Sequence, residues 1–507
     1  MLPGDFPRLH PEHKTAIIFD GHETSYAELD GLANRFANLL LSLGLQPGDR
    51  ASLLMENDVL MVAAYFGAFR AGIVANPLNH RLSDQELAFI LNHAGSRLII
   101  TTAAFSDLLS NTLPQLDAAP VVLCLGQSDG MRVPFLSDDK LYRQPATPVT
   151  AIAPTAETPA LLIYTSGTTG RPKGVVLTQG NVAAGSTAVA RGFDLRPEDR
   201  TLCMMPLFHT NALMFSHMPF LQTGATVVLR SRFSATQHWR LCEEFSVNSF
   251  SASPTILAML LEHEASAPPA NSIHLDYVKV ASAPTPPALA ERFEARFGQE
   301  LLLETYGLTE TTAINVMNPL RGTRKRGSIG QALPPQQVMI IGDDGKPVPA
   351  GTPGEIVVTG PTVMSGYFRD PDATANTIRD GWVRTGDLAR MDDDGFIFII
   401  GRKKEMIIRG GENISPLEVE QALMKHPAVR EATVVGIADR IWGERVAACV
   451  IRRDSIDEEA LIEFCRQNLA PFKAPDRILF VDELPRNAMG KIMRKKAAAL
   501  IQESATT

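Results

Sequence analysis

The chain has 507 residues, 45% of them hydrophobic and 21% charged, with a formal net charge of −8. That length suggests more than one domain at ~150 residues each, and the composition excludes a disordered, collagen-like or coiled-coil chain. The mild acidity argues against nucleic acid as a partner, and five scattered cysteines without a Cys-x-x-Cys suggest neither a disulfide framework nor a zinc site.

Residues 1–13 lack the apolar run of a secretory leader. The segment 59–69 is apolar but ends at Arg70, too short to span a bilayer, and reads as a buried helix. No transmembrane segment is expected, and a soluble protein in a reducing, cytoplasmic setting is. Strands are predicted over 51–55, 98–101 and 121–125. From 201 a βαβ rhythm sets in, with strands at 201–205, 226–229, 248–251, 277–281 and 300–305 and helices between them. Such a rhythm builds a parallel sheet covered by helices. After about residue 325 glycine and proline multiply, and Asp343-Asp344-Gly345 and Asp393-Asp394-Gly395 mark hairpin turns of a β-rich subdomain. Beyond Gly401-Arg402-Lys403-Lys404-Glu405 about a hundred residues of α+β pattern remain. The expected organisation is α/β: a large domain over 1–401 built of layered α/β subdomains plus the β-rich one, then a small, mobile α+β domain over 402–507.

The strongest local feature is Tyr164-Thr165-Ser166-Gly167-Thr168-Thr169-Gly170-Arg171-Pro172-Lys173-Gly174. Glycines let backbone amides approach an anion, and hydroxyls and Lys173 add donors, a composition suited to a polyphosphate. It is not a Walker A loop, since Gly170 is followed by Arg171. On composition alone it also fits a flexible connector.

At this loop the sequence begins to resemble the adenylate-forming superfamily of acyl- and aryl-CoA synthetases, peptide-synthetase adenylation domains and luciferases. Further resemblances follow in order: Met205-Pro206-Leu207-Phe208-His209, Tyr306-Gly307-Leu308-Thr309-Glu310, Arg384-Thr385-Gly386-Asp387, Gly401-Arg402-Lys403-Lys404, Gly410-Gly411-Glu412-Asn413 and Pro485-Arg486-Asn487-Ala488-Met489-Gly490-Lys491. The resemblance implies an ATP-dependent ligase that converts a carboxylic acid to an acyl-adenylate and then to a thioester of CoA. A medium-chain or aryl monocarboxylate is the expected acid. A stand-alone enzyme that loads the phosphopantetheine arm of a carrier protein is the alternative, and an oxidative luciferase-like activity or a catalytically dead binding protein are further ones.

The chemistry brings two anions together, so a cation is needed where they meet. The resemblance assigns this to Lys491, which alone would also pass for a surface lysine. Thr165, Ser166, Gly167, Thr168, Thr169, Gly170 and Lys173 are the expected phosphate contacts. Glu310 is the expected Mg²⁺ ligand and Thr309 a donor to the α-phosphate, although the pair also fits a helix cap. Tyr306 offers a face to adenine, Glu304 an acceptor for its amino group, and Asp387 two oxygens to the ribose; Arg402 is expected to face the nucleotide. For Tyr306 the alternative is a core tyrosine, for Glu304 a solvated strand face. His209 resembles a gate residue beside the carboxylate, or a core histidine. The acyl pocket is expected to be lined by Thr210, Asn211, Ser251, Ala281, Ser282, Ala283, Thr305, Gly307 and Leu308. Gly307 would leave depth for a tail, and Thr305, where malonate-type relatives carry Arg, disfavours a diacid. Lys404 marks a hinge, and Gly410, Gly411 and Glu412 a pantetheine tunnel. A monomer or homodimer fits equally.

Overall fold

A computed structural model describes residues 1–165, 172–263, 273–486 and 492–504. The βαβ rhythm closes as expected. Strands Thr15–Phe19, Thr226–Leu229, Arg200–Cys203, Ser249–Ala252, Tyr277–Val280 and Leu302–Gly307 run parallel, side by side, in a nine-stranded sheet. A second, eight-stranded sheet contains the parallel strands Val74–Pro77, Arg50–Leu54, Ser96–Thr101 and Val121–Cys124, and beside them the hairpin Pro159–Thr165/Lys173–Thr178.

Helices separate these sheets. Val59–Ala71 starts on the Asp58 carboxylate, which accepts from the Leu60 amide, and ends at Gly72 in the left-handed region. Eleven consecutive residues, Met61 to Ala71, are buried, so this is the core helix its apolar run predicts. It shares one apolar cluster with Tyr26–Ser42, Gln179–Gly192 and Met218–Thr223. No described helix is long and apolar enough to cross a membrane.

The β-rich texture after residue 325 resolves into an antiparallel sheet of Gln337–Ile341, Gly354–Thr359, Ile378–Arg379, Trp382–Met391 and Ile397–Arg402. Beyond it, Ile407–Arg409, Glu412–Ile414, Val429–Asp439, Gly443–Arg452 and Arg477–Phe480 form a separate sheet packed by Pro416–Leu423 and Glu458–Asn468. This smaller domain has its own apolar core, which is what lets it exist as a distinct unit.

Candidate active site

The strands that flank the glycine-rich segment pair antiparallel up to Thr165 opposite Lys173. Ser166, Gly167, Thr168, Thr169 and Gly170 lie outside the described residues. At the base, the Lys173 ammonium lies 4.8 Å over the ring of Tyr367. The same ring's hydroxyl donates to Glu310 Oε1 at 2.9 Å. Tyr367 is held there because Gly366–Tyr367 pairs with Val176 and Val175 of the hairpin itself. One aromatic side chain therefore ties the expected phosphate lysine to the expected metal carboxylate. No motif marked Tyr367; its role follows from a strand pairing between segments almost 200 residues apart.

Thr309 and Glu310 occupy a 3₁₀ turn, Thr309–Thr311, directly after the strand Leu302–Gly307. The hydroxyls of Thr309 and Thr210 meet at 3.3 Å, joining this turn to the segment after His209. His209 is half-buried against Phe208, with ring centroids 4.4 Å apart. Burial, reinforced by the nearby charges of Arg81 and His80, pushes its pKa down to about 4. A neutral imidazole at pH 7 suits a gate that shapes the site, not one that carries positive charge.

The strand containing Tyr306 runs further than its sequence suggests, to Gly307, so Tyr306 lies within the sheet. Its ring packs on the apolar cluster of the β-rich subdomain, and its hydroxyl donates to Asp387 Oδ2 at 2.7 Å. Arg402 Nε contacts Asp387 Oδ1 at 2.8 Å. Asp387 is only 6% exposed. Both oxygens thus accept from protein, and each keeps a lone pair for a further donor. The bend that presents Asp387 is set by Gly386, at φ 72°, whose amide donates to Glu355. Glu304 is half-buried, not on a solvated face, and burial raises its carboxyl to about 7.

The expected acyl-pocket residues divide. Ser251, Ala281 and Thr305 are buried, whereas Ser282 and Ala283 are exposed. Asn211 Nδ2 donates to Ser282 Oγ at 3.0 Å, and Ser251 Oγ meets Ser216 Oγ at 2.6 Å. The Thr305 hydroxyl is spent on the Val280 carbonyl. Leu308 is half-buried, and its amide donates to Thr311 Oγ1. Gly307 is expected to leave pocket depth; the backbone around it gives a second reason for glycine. A Cβ there would lie 2.1 Å from the Ala313 carbonyl oxygen, so the bulge between this strand and Ile314–Met317 demands glycine by itself.

Lys404 lies in the 3₁₀ turn Lys403–Glu405 that follows the last strand of the β-rich sheet. Burial, then the charge of Arg402, lowers its pKa. Gly410 and Gly411 both adopt positive φ (60° and 89°), and a Cβ on Gly410 would approach the Trp442 ring to 2.9 Å. Glu412 is exposed beside them. Lys491 lies outside the described residues, between Arg486 and Ile492, which form an antiparallel bridge. Among the described residues, no three His, Cys, Asp or Glu gather as a metal cluster. A lone carboxylate such as Glu310 fits Mg²⁺, which is held largely by substrate phosphates and water.

The model of the AMP-binding enzyme family matches residues 6–368, and that of the AMP-binding enzyme C-terminal domain residues 418–491. Sulfoacetate–CoA ligase of Cupriavidus necator is 38% identical over 94% of this chain and 92% of its own. Oxalate–CoA ligase of Arabidopsis thaliana is 34% identical over 96% and 95%. The crystal structure of ATP-bound MatB from Rhodopseudomonas palustris superposes with a TM-score of 0.91 at 31% identity, covering 99% of both chains. Two family models placed end to end, on a large α/β domain and then a small one, leave one conclusion: the chain belongs to the AMP-binding enzyme family and is an acid–thiol ligase of the acyl-CoA synthetase kind.

Proposed function

We propose that the chain works in two steps, first transferring a carboxylate to the α-phosphorus of ATP with release of pyrophosphate, then passing the acyl group to the thiol of CoA with release of AMP. The observation that carries this reading is the meeting of Lys173 and Glu310 on Tyr367, beside the Thr309–Thr210 contact. These contacts support a site shared by the base of the polyphosphate loop, a hard oxygen ligand and the gate segment. There Lys173 offsets phosphate charge, Glu310 is available to Mg²⁺, which would neutralise the leaving pyrophosphate, and Thr309 donates to the α-phosphate. Asp387, preset by Tyr306 and Arg402, receives the ribose hydroxyls.

In this reading Lys491 supplies the cation at the point where carboxylate and α-phosphate touch. Residues 402–507 turn about Lys404 between the steps, so that Gly410, Gly411 and Glu412 then line the path of the pantetheine thiol. The names of the relatives support an organic acid as the acyl donor and range from sulfoacetate and oxalate to long-chain fatty acids and feruloyl-CoA. The test is acid-dependent exchange of labelled pyrophosphate into ATP, followed by CoA thioester formation on adding CoA. Lys491→Ala should lose exchange by ~10²-fold or more; exchange at the wild-type rate would overturn the assignment.

A further inference from the structure

Arg494 lies three residues beyond Lys491 and opens the helix Arg494–Glu503, with Lys495 and Lys496 behind it. A cation in the first turn faces the positive end of the helix dipole, so helix stability does not account for an arginine there. Its guanidinium is spent on three other elements instead. Nε donates to Glu405 Oε2 at 3.0 Å, and Nη2 donates to Glu420 Oε2 at 3.1 Å. Nη1 donates to Glu420 Oε1, to the Thr433 hydroxyl at 3.1 Å and to the Val434 carbonyl at 2.7 Å.

The strand Val429–Asp439 is outermost in its sheet, so one side of its backbone has no ladder partner. Arg494 takes the Val434 carbonyl there, and Glu420 takes the Val434 amide at 2.8 Å. Glu431, on the same strand, pairs with Arg486. The described residues on either side of 487–491 are therefore both seated on one strand. The Arg486–Ile492 bridge and the Met493 amide, which donates to the Pro485 carbonyl at 2.7 Å, join them to each other.

Glu405 brings in the turn Lys403–Glu405. Before Lys404 the chain is bonded to the β-rich subdomain, Arg402 to Asp387 at 2.8 Å and Lys403 to Asp343 at 2.7 Å. After Lys404 it is bonded to Arg494 of the small domain. Lys404 itself makes no ion pair among the described residues. The ion pairs thus bracket a single residue, and a rotation there carries with it whatever is fixed to Arg494.

Resting on the ligase reading above, we infer that Arg494 is a positioning residue for Lys491: its guanidinium ties the segment that bears the amine to the hinge turn, so that one rotation at Lys404 aims the amine at the forming bond. The task needs a planar fork. Two carboxylates on different elements and a strand-edge carbonyl are reached at once by its N–H groups, which an ammonium cannot do. Gly410, Gly411 and Glu412 do not depend on it, because the strands Ile407–Arg409 and Glu412–Ile414 are held by their own sheet pairing.

The test separates the half-reactions in Arg494→Met and Glu405→Gln. The acid is the fastest in wild-type pyrophosphate exchange from a panel that opens with hexanoate, benzoate, malonate and succinate. Arg494→Met should lower kcat for exchange by ~10-fold or more, with KM for ATP and acid held within about 2-fold, because a reacting group is misplaced while the binding sites are intact. Glu405→Gln frees only the hinge end and leaves Glu420 on the guanidinium, so it should lower kcat less, by ~3-fold or more. Thioester formation from CoA and the chemically prepared acyl-adenylate needs a folded small domain but not Lys491, and should stay within about 2-fold of wild type in both variants. In a Lys491→Ala background, Arg494→Met should cost nothing further. Equal loss of both half-reactions shows a merely structural role and overturns the inference. Wild-type exchange in either variant, or losses that multiply with Lys491→Ala, overturns it too. Each of these outcomes leaves the ligase reading standing. Absence of exchange with any carboxylate in the wild-type enzyme ends both.

Discussion

Gly307→Ala separates two explanations of the same glycine. If the residue is small to give an acid room, one methyl group narrows the range of acids and leaves the fold alone. The structure supplies a backbone reason as well. The new Cβ would stand 2.1 Å from the Ala313 carbonyl oxygen and 2.9 Å from its carbon, against an ordinary carbon–oxygen contact of about 3.3 Å. The obstacle is backbone, which cannot rotate away as a side chain would. Relief requires a shift of more than ~1 Å of the strand Ile314–Met317 or of the turn Thr309–Thr311 that leads into it. Overpacking of this kind costs about 1–3 kcal/mol, which in a domain of roughly 400 residues, at ~2.1 cal/mol/K per residue, lowers the melting temperature by roughly 1–4 °C. Because Thr309 and Glu310 ride on that turn, adenylation with every acid should fall together. Differential scanning fluorimetry and pyrophosphate exchange over a panel of acids measure both effects. Unchanged melting, with activity lost only for the larger acids, would refute the backbone argument and leave pocket depth as the reason for glycine.

Tyr367→Phe keeps the ring beneath Lys173 but removes the donor to Glu310; a hydrogen bond to a carboxylate is worth ~1.5–3 kcal/mol, so adenylation should slow by roughly 10–100-fold. Tyr367→Leu should be worse, having lost the face under the ammonium as well, and equal rates for the two variants would show that the ring does nothing for Lys173. Lys404→Pro should cripple thioester formation while sparing the adenylate half-reaction in single-turnover experiments; equal loss of both contradicts a hinge there. For pH dependence, the pKa values of His209, His217 and His238 are lowered from 6.5 to about 4, 3 and 3 by burial. The folded state then binds fewer protons than the unfolded one below pH 6.5, so this stabilisation is complete above pH 6.5 and drains away as the pH falls towards 4. Glu304, raised to about 7, acts in the opposite sense between pH 7 and 4.5, so a single-site variant isolates the histidine effect. His238→Phe should flatten the acid side of the stability curve by about 1.4 kcal/mol per pH unit relative to wild type, read by denaturant titration from pH 7.5 to 5. Parallel curves would show that His238 titrates normally.

Much of the architecture is legible in one dimension because its causes are local. The apolar run 59–69, the strand–helix alternation from 201, and the Asp-Asp-Gly turns after 325 each carry their own period or turn chemistry. Glycine-rich loops and a Thr-Gly-Asp bend are likewise written in consecutive residues, so Lys173, Glu310 and Asp387 could be singled out before any coordinates. What surrounds them could not. Tyr306, Asp387 and Arg402 form one cluster only because a strand of the nine-stranded sheet meets the β-rich subdomain. Tyr367 reaches Glu310 through an edge strand added to a distant hairpin.

Lys279 and Gly307 show the limit most sharply. In sequence, a lysine within Tyr-Val-Lys-Val reads as the polar face of an alternating strand. Burial on both faces is decided by what the rest of the chain lays over that strand, and it leaves Lys279 0% exposed among the rings of Phe193, Phe220 and Tyr277. A glycine, similarly, records that a side chain is excluded but not by what. Short-range chemistry chose the elements and named the reactive groups; long-range packing, where contacts between remote segments set distance and desolvation, decided which groups meet and in what charge state.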